Sequence, residues 1–301
     1  MSFELIIPFL KPIKHLIESE TVSEIMVNPD SSVWIEEGGQ VQLLPDIRFD
    51  DGALQTGLEV IANRFGKKLD ADSPIMNLRL PDGSRMAAMI PPVVNPRPVV
   101  TIRKFTSRNF TLADLVRTGM LTGEQASTLT DAVRTGNNIL IAGGTGSGKT
   151  TLLNVLADAI PEDDRILIIE DTAELHIRKP HIVSAESQTD THRGKVTFDD
   201  LLKAVLRHRP DRIIVGEVRG PEARTLLDAM NTGHRGTLAT IHASSPEEAL
   251  HRLATLALRA GGAQGLDTVA AEARRCLDLV IYISRHEGRR FIRSVMTVTE
   301  T

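Results

Sequence analysis

The stretch NILIAGGTGSGKTTLLNVLADAI, residues 138–160, decides the fold of the second half of the chain. It opens with a short apolar run of strand length and closes with a helical pattern that places Leu152, Leu156 and Ala159 on one face. Between them, GGTGSGKTT fits the pattern G-x-x-x-x-G-K-[ST] in the strand-to-helix context that this pattern requires. Glycines let backbone N–H groups turn toward a phosphate, and the helix N-terminus adds further donors. The stretch therefore predicts a phosphate-binding loop.

The residues of this loop are the candidate ATP-binding residues. We expect Lys149 to bridge the outer phosphates and Thr150 to offer its hydroxyl to Mg²⁺. The alternative, a glycine-rich turn with a solvated lysine, does not account for the strand before the loop and the helix after it. The complete candidate set is Gly143, Gly144, Thr145, Gly146, Ser147, Gly148, Lys149, Thr150 and Thr151.

Two later apolar runs end in acids. ILII is followed by Glu170 and Asp171, and RIIV, in DRIIVGEVRG, leads through a glycine to Glu217. Carboxyl ends of parallel strands meet at one edge of a sheet, where α/β sites form. A single acid after a strand is as often a helix cap or a solvated strand end, but two acids downstream of a phosphate loop favour metal binding and water activation. Glu170 and Glu217 are therefore candidate catalytic residues, and Glu217 is with Thr150 a candidate Mg²⁺ ligand.

A histidine follows the next apolar run, in NTGHRGTLATIHASS. His242 could donate to a γ-phosphate or hold the water-orienting glutamate, and a purely structural role is equally compatible with the sequence. The spacing to His234 is not that of a zinc site, because no third ligand is nearby.

The chain reads as an α/β protein with two domains. Short alternating segments around one amphipathic helix predict a smaller N-terminal α+β domain at residues 1–105, followed by a linker at 106–120. From there, apolar runs alternate with helical patterns, which indicates a parallel sheet with helices on both faces at residues 121–301. The last two apolar segments, joined by HEG, predict a hairpin added to the edge of that sheet.

Composition narrows the class of function. The net charge of −4 argues against a broadly basic surface that coats nucleic acid, and it leaves room for local basic patches. No sequence-specific nucleic-acid binding is expected. Cys276 is the single cysteine, which excludes a disulfide or a multi-cysteine zinc site within one chain. The apolar N-terminus is interrupted by prolines and lysines, and predicts neither a signal peptide nor a spanning helix. Its stretch LIIPFLKPIKHLI is expected to pack on the domain or a neighbouring subunit, with peripheral insertion into a bilayer as the alternative.

Four motifs in one order resemble the secretion or traffic ATPases, the superfamily that powers type II and type IV secretion and type IV pili. They are GGTGSGKTT, IIEDTAEL, RPDRIIVGEVRGPEA and NTGHRGTLATIHA, matching that family's Walker A, Asp box, Walker B and His box. The upstream segments DGSRMAAMIPPVV and PVVTIRKF are similar to its N-terminal domain. The resemblance implies a RecA-like P-loop ATPase domain that works in a hexameric ring.

The same resemblance assigns roles to residues. It implies that Glu217 is the Walker B acid, that Glu170 polarises the attacking water, and that His242 faces the γ-phosphate. Arg85 and Arg103 match, by position, N-terminal arginines that approach the nucleotide and stabilise charge on the transferring phosphoryl group.

The motifs look most like the short TrbB-like conjugative-transfer branch of type IV secretion, although His208 stands where that branch typically has methionine. A CpaF-like ATPase for tight-adherence pili is the alternative. The resemblance implies a cytoplasmic hexamer, peripheral at the inner membrane, that uses ATP hydrolysis to drive inner-membrane components of a secretion complex. A DNA-translocating ATPase, disfavoured by an aromatic content of 3%, and a docking ring that barely hydrolyses ATP are the other two hypotheses.

Overall fold

The chain forms two compact units in this computed structural model, Met1–Arg108 and Asn109–Thr301. The structure describes residues 6–50, 52–80, 82–104, 110–187 and 196–298. Parts of the predicted domains, residues 1–5, 105 and 299–301, and positions 106–109 of the predicted linker lie outside the described residues.

The first unit is built on a six-stranded antiparallel sheet with the order β3-β2-β1-β6-β5-β4. The helix α2, Ala53–Arg64, buries Leu58 and Ile61 on the stripe that its sequence predicts. The strands are β1 (Val22–Val27), β2 (Val33–Glu37), β3 (Gln40–Leu44), β4 (Ile75–Arg79), β5 (Arg85–Met89) and β6 (Val99–Arg103).

The apolar N-terminal segment belongs to the core of this unit. Two 3-10 turns, Ile7–Phe9 and Lys11–Ile13, lead into the short helix α1, Lys14–Glu18. The side chains of Leu10 and Ile13 are fully buried in the same cluster as the sheet residues. The sequence left open whether this segment packs on protein or inserts into a bilayer. Leu10 and Ile13 pack on their own domain, because they contact its core residues.

The second unit contains a seven-stranded sheet with the order β13-β12-β7-β11-β10-β8-β9. All neighbours are parallel except β12 and β13, which form the predicted antiparallel hairpin at one edge. The strands are β7 (Ile139–Gly143), β8 (Ile166–Glu170), β9 (Ile182–Glu186), β10 (Arg212–Val218), β11 (Leu238–Ile241), β12 (Leu279–His286) and β13 (Arg289–Thr297). The strand β9 was not expected from the sequence, because an edge strand with exposed side chains carries little apolar pattern.

Helices cover both faces of this sheet, as the alternating pattern predicts. One buried cluster joins the sheet to α6–α9, and a second joins the other face to α3–α5. The helices are α3 (Leu112–Arg117), α4 (Gly123–Arg134), α5 (Lys149–Ala157), α6 (Phe198–Val205), α7 (Glu222–Asn231), α8 (Pro246–Leu258) and α9 (Leu266–Cys276). Within the described ranges, none of the helices has the length and apolar character needed to cross a membrane. The architecture is the predicted α/β fold, with the carboxyl ends of β7, β8, β10 and β11 at one edge.

Candidate functional site

The phosphate loop connects the fully buried strand β7 to α5. Gly146 and Gly148 have φ of 68° and 100°, in the left-handed region where a side chain is strained. Gly143 is required for another reason: a Cβ atom there would lie 2.6 Å from the carbonyl oxygen of Ile283 in β12. The glycines therefore let the loop turn sharply while packed against the neighbouring strand.

Lys149, the lysine of the loop motif, is the first residue of α5. Lys149 is buried, and its Nζ donates hydrogen bonds of 2.9 Å to the carbonyl oxygens of both Gly143 and Gly144. Burial lowers the pKa of Lys149 below its usual value, while the charge of Glu217 acts in the opposite direction. The ammonium group is thus held against the loop backbone and faces an acid from another strand.

The loop residues fit the phosphates of a nucleotide. Ser147 Oγ is buried and has no hydrogen-bond partner among the described residues, so this hydroxyl is available to bond to a phosphate oxygen. Thr150 and Thr151 lie half-buried in the first turn of α5, where backbone N–H groups lack helical acceptors.

Glu170 ends strand β8 and is almost completely buried, with 4% of its surface exposed. Its Oε1 accepts hydrogen bonds from the backbone N–H groups of Glu174, at 2.8 Å, and Leu175, at 3.0 Å. Burial raises the pKa of Glu170 to about 7, although these two hydrogen bonds act in the opposite direction. A carboxylate with a pKa near neutrality is suited to accept a proton at physiological pH.

The glycine before Glu217 provides the space for Glu170. A Cβ atom on Gly216 would lie 3.0 Å from Cγ of Glu170, closer than side-chain atoms normally pack. The carbonyl oxygen of Gly216 accepts a 2.6 Å hydrogen bond from Thr240 Oγ1, which ties β11 to β10 at this point. The G-E sequence at the end of this strand therefore has a steric reason within the fold.

Glu217 lies in a cluster of charged and polar side chains. Its Oε2 accepts a 2.8 Å hydrogen bond from Arg219 Nη2, and its Oε1 lies 3.2 Å from Nε2 of His242. Burial alone would raise the pKa of Glu217, but Arg219, His242 and Lys149 together lower it below its usual value. Glu217 is therefore an ionised carboxylate at neutral pH, in contrast to Glu170.

His242 is one-third exposed and stands after β11, as the sequence predicts. Burial lowers the pKa of His242, and the positive charge of Lys149 lowers it further, against the opposing effect of Glu217. The imidazole is therefore neutral at pH 7, where it can donate one N–H and accept at its other nitrogen.

Sequence reasoning missed Arg219, which joins the two acid-bearing strands. Its Nη1 donates to Asp171 Oδ2 at 3.1 Å while its Nη2 donates to Glu217. The available signal was spacing: Arg219 directly follows β10 and is two residues from Glu217, close enough for their side chains to meet. Lys149, Glu170, Glu217 and His242 all belong to the carboxyl edge of this one sheet.

Arg85 and Arg103 lie in the first unit, where they are paired directly across β5 and β6. The register places Arg79 of β4 opposite Arg85, so three arginines form one row across adjacent strands. The row continues with Glu24 of β1 opposite Arg103. Arg79 was not predicted from the sequence, because only the strand register reveals its place in the row.

Comparisons with known proteins agree with this architecture. The sequence model of the family described as type II/IV secretion system protein matches residues 9–283. The chain is 38% identical over 286 residues to the probable conjugal transfer protein TrbB of Sinorhizobium fredii, an alignment that covers 94% of this chain and 85% of that protein. It is 31% identical over 319 aligned residues to the type IV secretion system protein VirB11 of Bartonella quintana, covering 93% and 89% of the two chains.

Among solved structures, the chain is similar to the VirB11 ATPase from the Brucella suis type IV secretion system, determined in complex with sulphate. The two share 27% identity with a TM-score of 0.54, over 97% of each chain. Motifs, fold and relatives point to one conclusion: the chain belongs to the type II/IV secretion system protein family.

Proposed function

We propose that this protein is the hexameric ATP-hydrolysing motor of a type IV secretion or conjugative transfer system, peripheral at the cytoplasmic face of the inner membrane. The observation that carries the proposal is the contrast between two carboxyl groups on adjacent strands. Glu170 is buried with a pKa raised to about 7, and Glu217 has a lowered pKa beside Arg219. Pairs of acids whose surroundings push their pKa values apart are a recurrent basis for acid–base chemistry. The similarity to TrbB and VirB11 proteins supports the part of the proposal that assigns the protein to such a transfer system.

The phosphate loop binds the nucleotide in this proposal. Backbone N–H groups of residues 143–151 and the N-terminus of α5 face the phosphates, and Lys149 exchanges its contacts with the carbonyls of Gly143 and Gly144 for phosphate oxygens. This exchange keeps a buried ammonium group partnered in both states, which matters because an unpartnered buried charge is costly.

Glu170 acts on the attacking water. The two backbone N–H groups that donate to Oε1 fix its carboxylate, and Gly216 leaves room for it. The carboxylate accepts a proton as the water oxygen bonds to the γ-phosphorus and the bond to the bridging oxygen breaks, releasing ADP; a pKa near 7 makes the proton transfer favourable at neutral pH. His242, neutral at the same pH, donates to a γ-phosphate oxygen or holds the glutamate–water arrangement.

Thr150 and Glu217 are the residues that would hold Mg²⁺. Hydroxyl and carboxylate oxygens are the hard ligands that Mg²⁺ prefers, and one or two protein ligands beside phosphates are usual for it. When bound, the ion neutralises negative charge on the β- and γ-phosphates. The ionised state of Glu217 at neutral pH suits this role.

Arg85 and Arg103 stabilise charge on the transferring phosphoryl group, as arginines do in related phosphoryl-transfer enzymes. Loss of the γ-phosphate then removes contacts that hold the ATP-bound arrangement, so hydrolysis in a ring becomes a change of shape that the membrane complex can use. Alanine at either arginine lowers kcat for ATP while ADP affinity stays close to that of the wild type.

ATP turnover tests the enzymatic part of the proposal. Lys149→Ala abolishes ATPase activity with the fold retained, and Glu170→Gln binds ATP but does not turn it over. Full turnover by either variant overturns the assignment. The assay includes lipid and the membrane partners, because a ring that needs its partners would hydrolyse slowly alone.

The membrane contact needs a test that leaves the first unit folded. Deleting the N-terminal segment would remove core residues such as Leu10 and Ile13, so loss of vesicle binding would not be informative. Lys11 and Lys14 are exposed, and the double substitution to Glu reverses their charge without touching the core. Weaker co-sedimentation of this variant with anionic vesicles supports peripheral contact through this segment, and unchanged co-sedimentation removes the segment from the contact.

A further inference from the structure

The C-terminal hairpin reaches the phosphate loop. The strand β12 runs parallel to β7 and pairs Ile283 with Gly143, the last residue of β7. Beyond this point the chain of β7 turns away into the loop, whereas β12 continues for three more residues to His286. The tip of the hairpin therefore lies beside the loop. The sequence predicted a hairpin at the edge of the sheet but not its position next to the loop.

Arg290 in this hairpin is bonded to the loop. Its Nε donates a 2.9 Å hydrogen bond to the carbonyl oxygen of Gly146. Its Cδ would lie 3.4 Å from a Cβ atom on Gly148, and on that same glycine the methyl carbon of Met120 would lie at 3.1 Å. Arg290 and Met120 thus bracket the turn from which α5 begins.

The hairpin is itself fixed to the unit. The backbone N–H of Ile292 donates a 2.7 Å hydrogen bond to the carbonyl oxygen of Met120, and Ile283 and Ile292 are buried in the cluster that contains α5. Alternation along β12 and β13 places Arg285 and Arg290 on the side of these two isoleucines. The anchored strands hold both arginines toward the loop.

The two arginines also stand opposite each other. Arg285 and Arg290 are direct cross-strand partners, and a Cβ atom on Gly146 would lie 3.8 Å from Nη1 of Arg285. Two guanidinium groups on directly opposite residues make the potential beside the loop more positive, which favours an anion there. The anion that the adjacent loop is built to bind is a phosphate group.

We propose that the β12–β13 hairpin is part of the nucleotide site: Arg290 is a positioning residue that fixes the Gly146 peptide, and Arg285 and Arg290 add positive charge beside the bound phosphates. The inference rests on the proposed ATP site. With the carbonyl oxygen of Gly146 held by Arg290, the flanking loop N–H groups stay oriented for phosphates before the nucleotide arrives. Less ordering is then left to the binding step, which favours affinity.

The experiment compares Arg290→Ala with Arg289→Ala in the full chain. Arg289 is the neighbouring exposed residue on the opposite side of β13, so the control removes the same charge from the same strand. We expect Arg290→Ala to raise the Kd for MgADP about 10-fold and to weaken its salt dependence, while Arg289→Ala stays within about twofold of the wild type. Arg285→Ala raises the same Kd, and Arg290→Lys, which keeps the charge and a donor, recovers most of the loss.

Kinetics separate positioning from general damage to the fold. In Arg290→Ala, KM for ATP rises more than kcat falls, because the loop binds phosphates in the ground state and the transition state alike. The nucleotide-free variants Arg290→Ala and Arg289→Ala unfold at the same temperature. If Arg290→Ala and Arg289→Ala bind nucleotide equally well, the inference is wrong. The proposed function still stands in that case, provided that the wild type binds ATP and Lys149→Ala does not. Failure of the wild type to bind nucleotide overturns both.

Discussion

A Cβ atom on Gly216 would lie 3.0 Å from Cγ of Glu170. The glycine that precedes Glu217, the proposed Mg²⁺ ligand on β10, is thereby coupled to the candidate base on β8. Substituting Gly216 with Ala pushes Glu170 out of the position fixed by its two backbone hydrogen bonds. A small displacement of a catalytic group is costly, so we expect kcat for ATP to fall roughly 10- to 100-fold.

The matched control is Gly123→Ala at the start of α4, where an added Cβ meets nothing within 4 Å. Steady-state ATPase assays and ADP binding are measured for both variants. Gly216→Ala retains its ADP affinity, because the phosphate loop is unchanged. Equal turnover by the two variants would contradict the steric coupling.

The raised pKa of Glu170 makes stability depend on pH. With a folded-state pKa of about 7 against 4.5 when unfolded, the native protein loses stability as pH rises between these values, up to about 3 kcal/mol. The glutamine of Glu170→Gln cannot ionise, so the stability of this variant does not fall for this reason as pH rises. The free energy of unfolding of the variant minus that of the wild type is therefore expected to be larger at pH 8 than at pH 5. Urea unfolding at both pH values measures this difference.

The control for this effect is Glu124→Gln, which changes an exposed glutamate on α4. Its difference from the wild type is measured at the same two pH values. If the difference for Glu170→Gln changes no more between pH 5 and pH 8 than the difference for Glu124→Gln does, burial does not raise the pKa of Glu170.

The two carboxylates are predicted to divide their work. Glu217→Gln removes the charge that suits Mg²⁺, so it weakens Mg²⁺ affinity in the presence of ADP, whereas Glu170→Gln leaves that affinity close to the wild-type value. Titration of Mg²⁺ at fixed ADP concentration measures both. If Glu217→Gln weakens Mg²⁺ binding no more than Glu170→Gln does, the division is wrong.

Gly236 is predicted to be a structural glycine rather than a site residue. Its φ is 73°, and a Cβ atom would lie 1.9 Å from Nη1 of the buried Arg212. That guanidinium donates to Asp164 and to the carbonyl oxygen of Val133 and cannot move without breaking these bonds. Gly236→Ala should therefore lower the free energy of unfolding by about 3 kcal/mol or more.

Gly233, three residues earlier, separates the two causes of that loss. It also has a positive φ, 102°, but an added Cβ there meets nothing within 4 Å. Gly233→Ala carries only the backbone strain and is expected to cost about 1 kcal/mol in the same unfolding measurement. Equal losses for the two variants would mean that the contact with Arg212 is unimportant.

The sequence by itself determined the parallel sheet, the phosphate loop and the order of the acid-bearing strands. These features depend on local patterns: apolar runs of strand length, glycines at fixed spacing, and helix periodicity after Lys149. The placement of Glu170, Glu217 and His242 at one edge follows from the same patterns, because parallel strands bring their carboxyl ends together.

The tertiary structure decided what those patterns do not carry. Burial in the folded sheet raises the pKa of Glu170, and the pKa of Glu217 is lowered by its neighbour Arg219 together with His242 and Lys149 from other elements. The hydrogen bond from Arg290 to Gly146 joins residues 144 positions apart. Such pairs become neighbours only when the sheet order and register are set, because charge and burial act through space rather than along the chain.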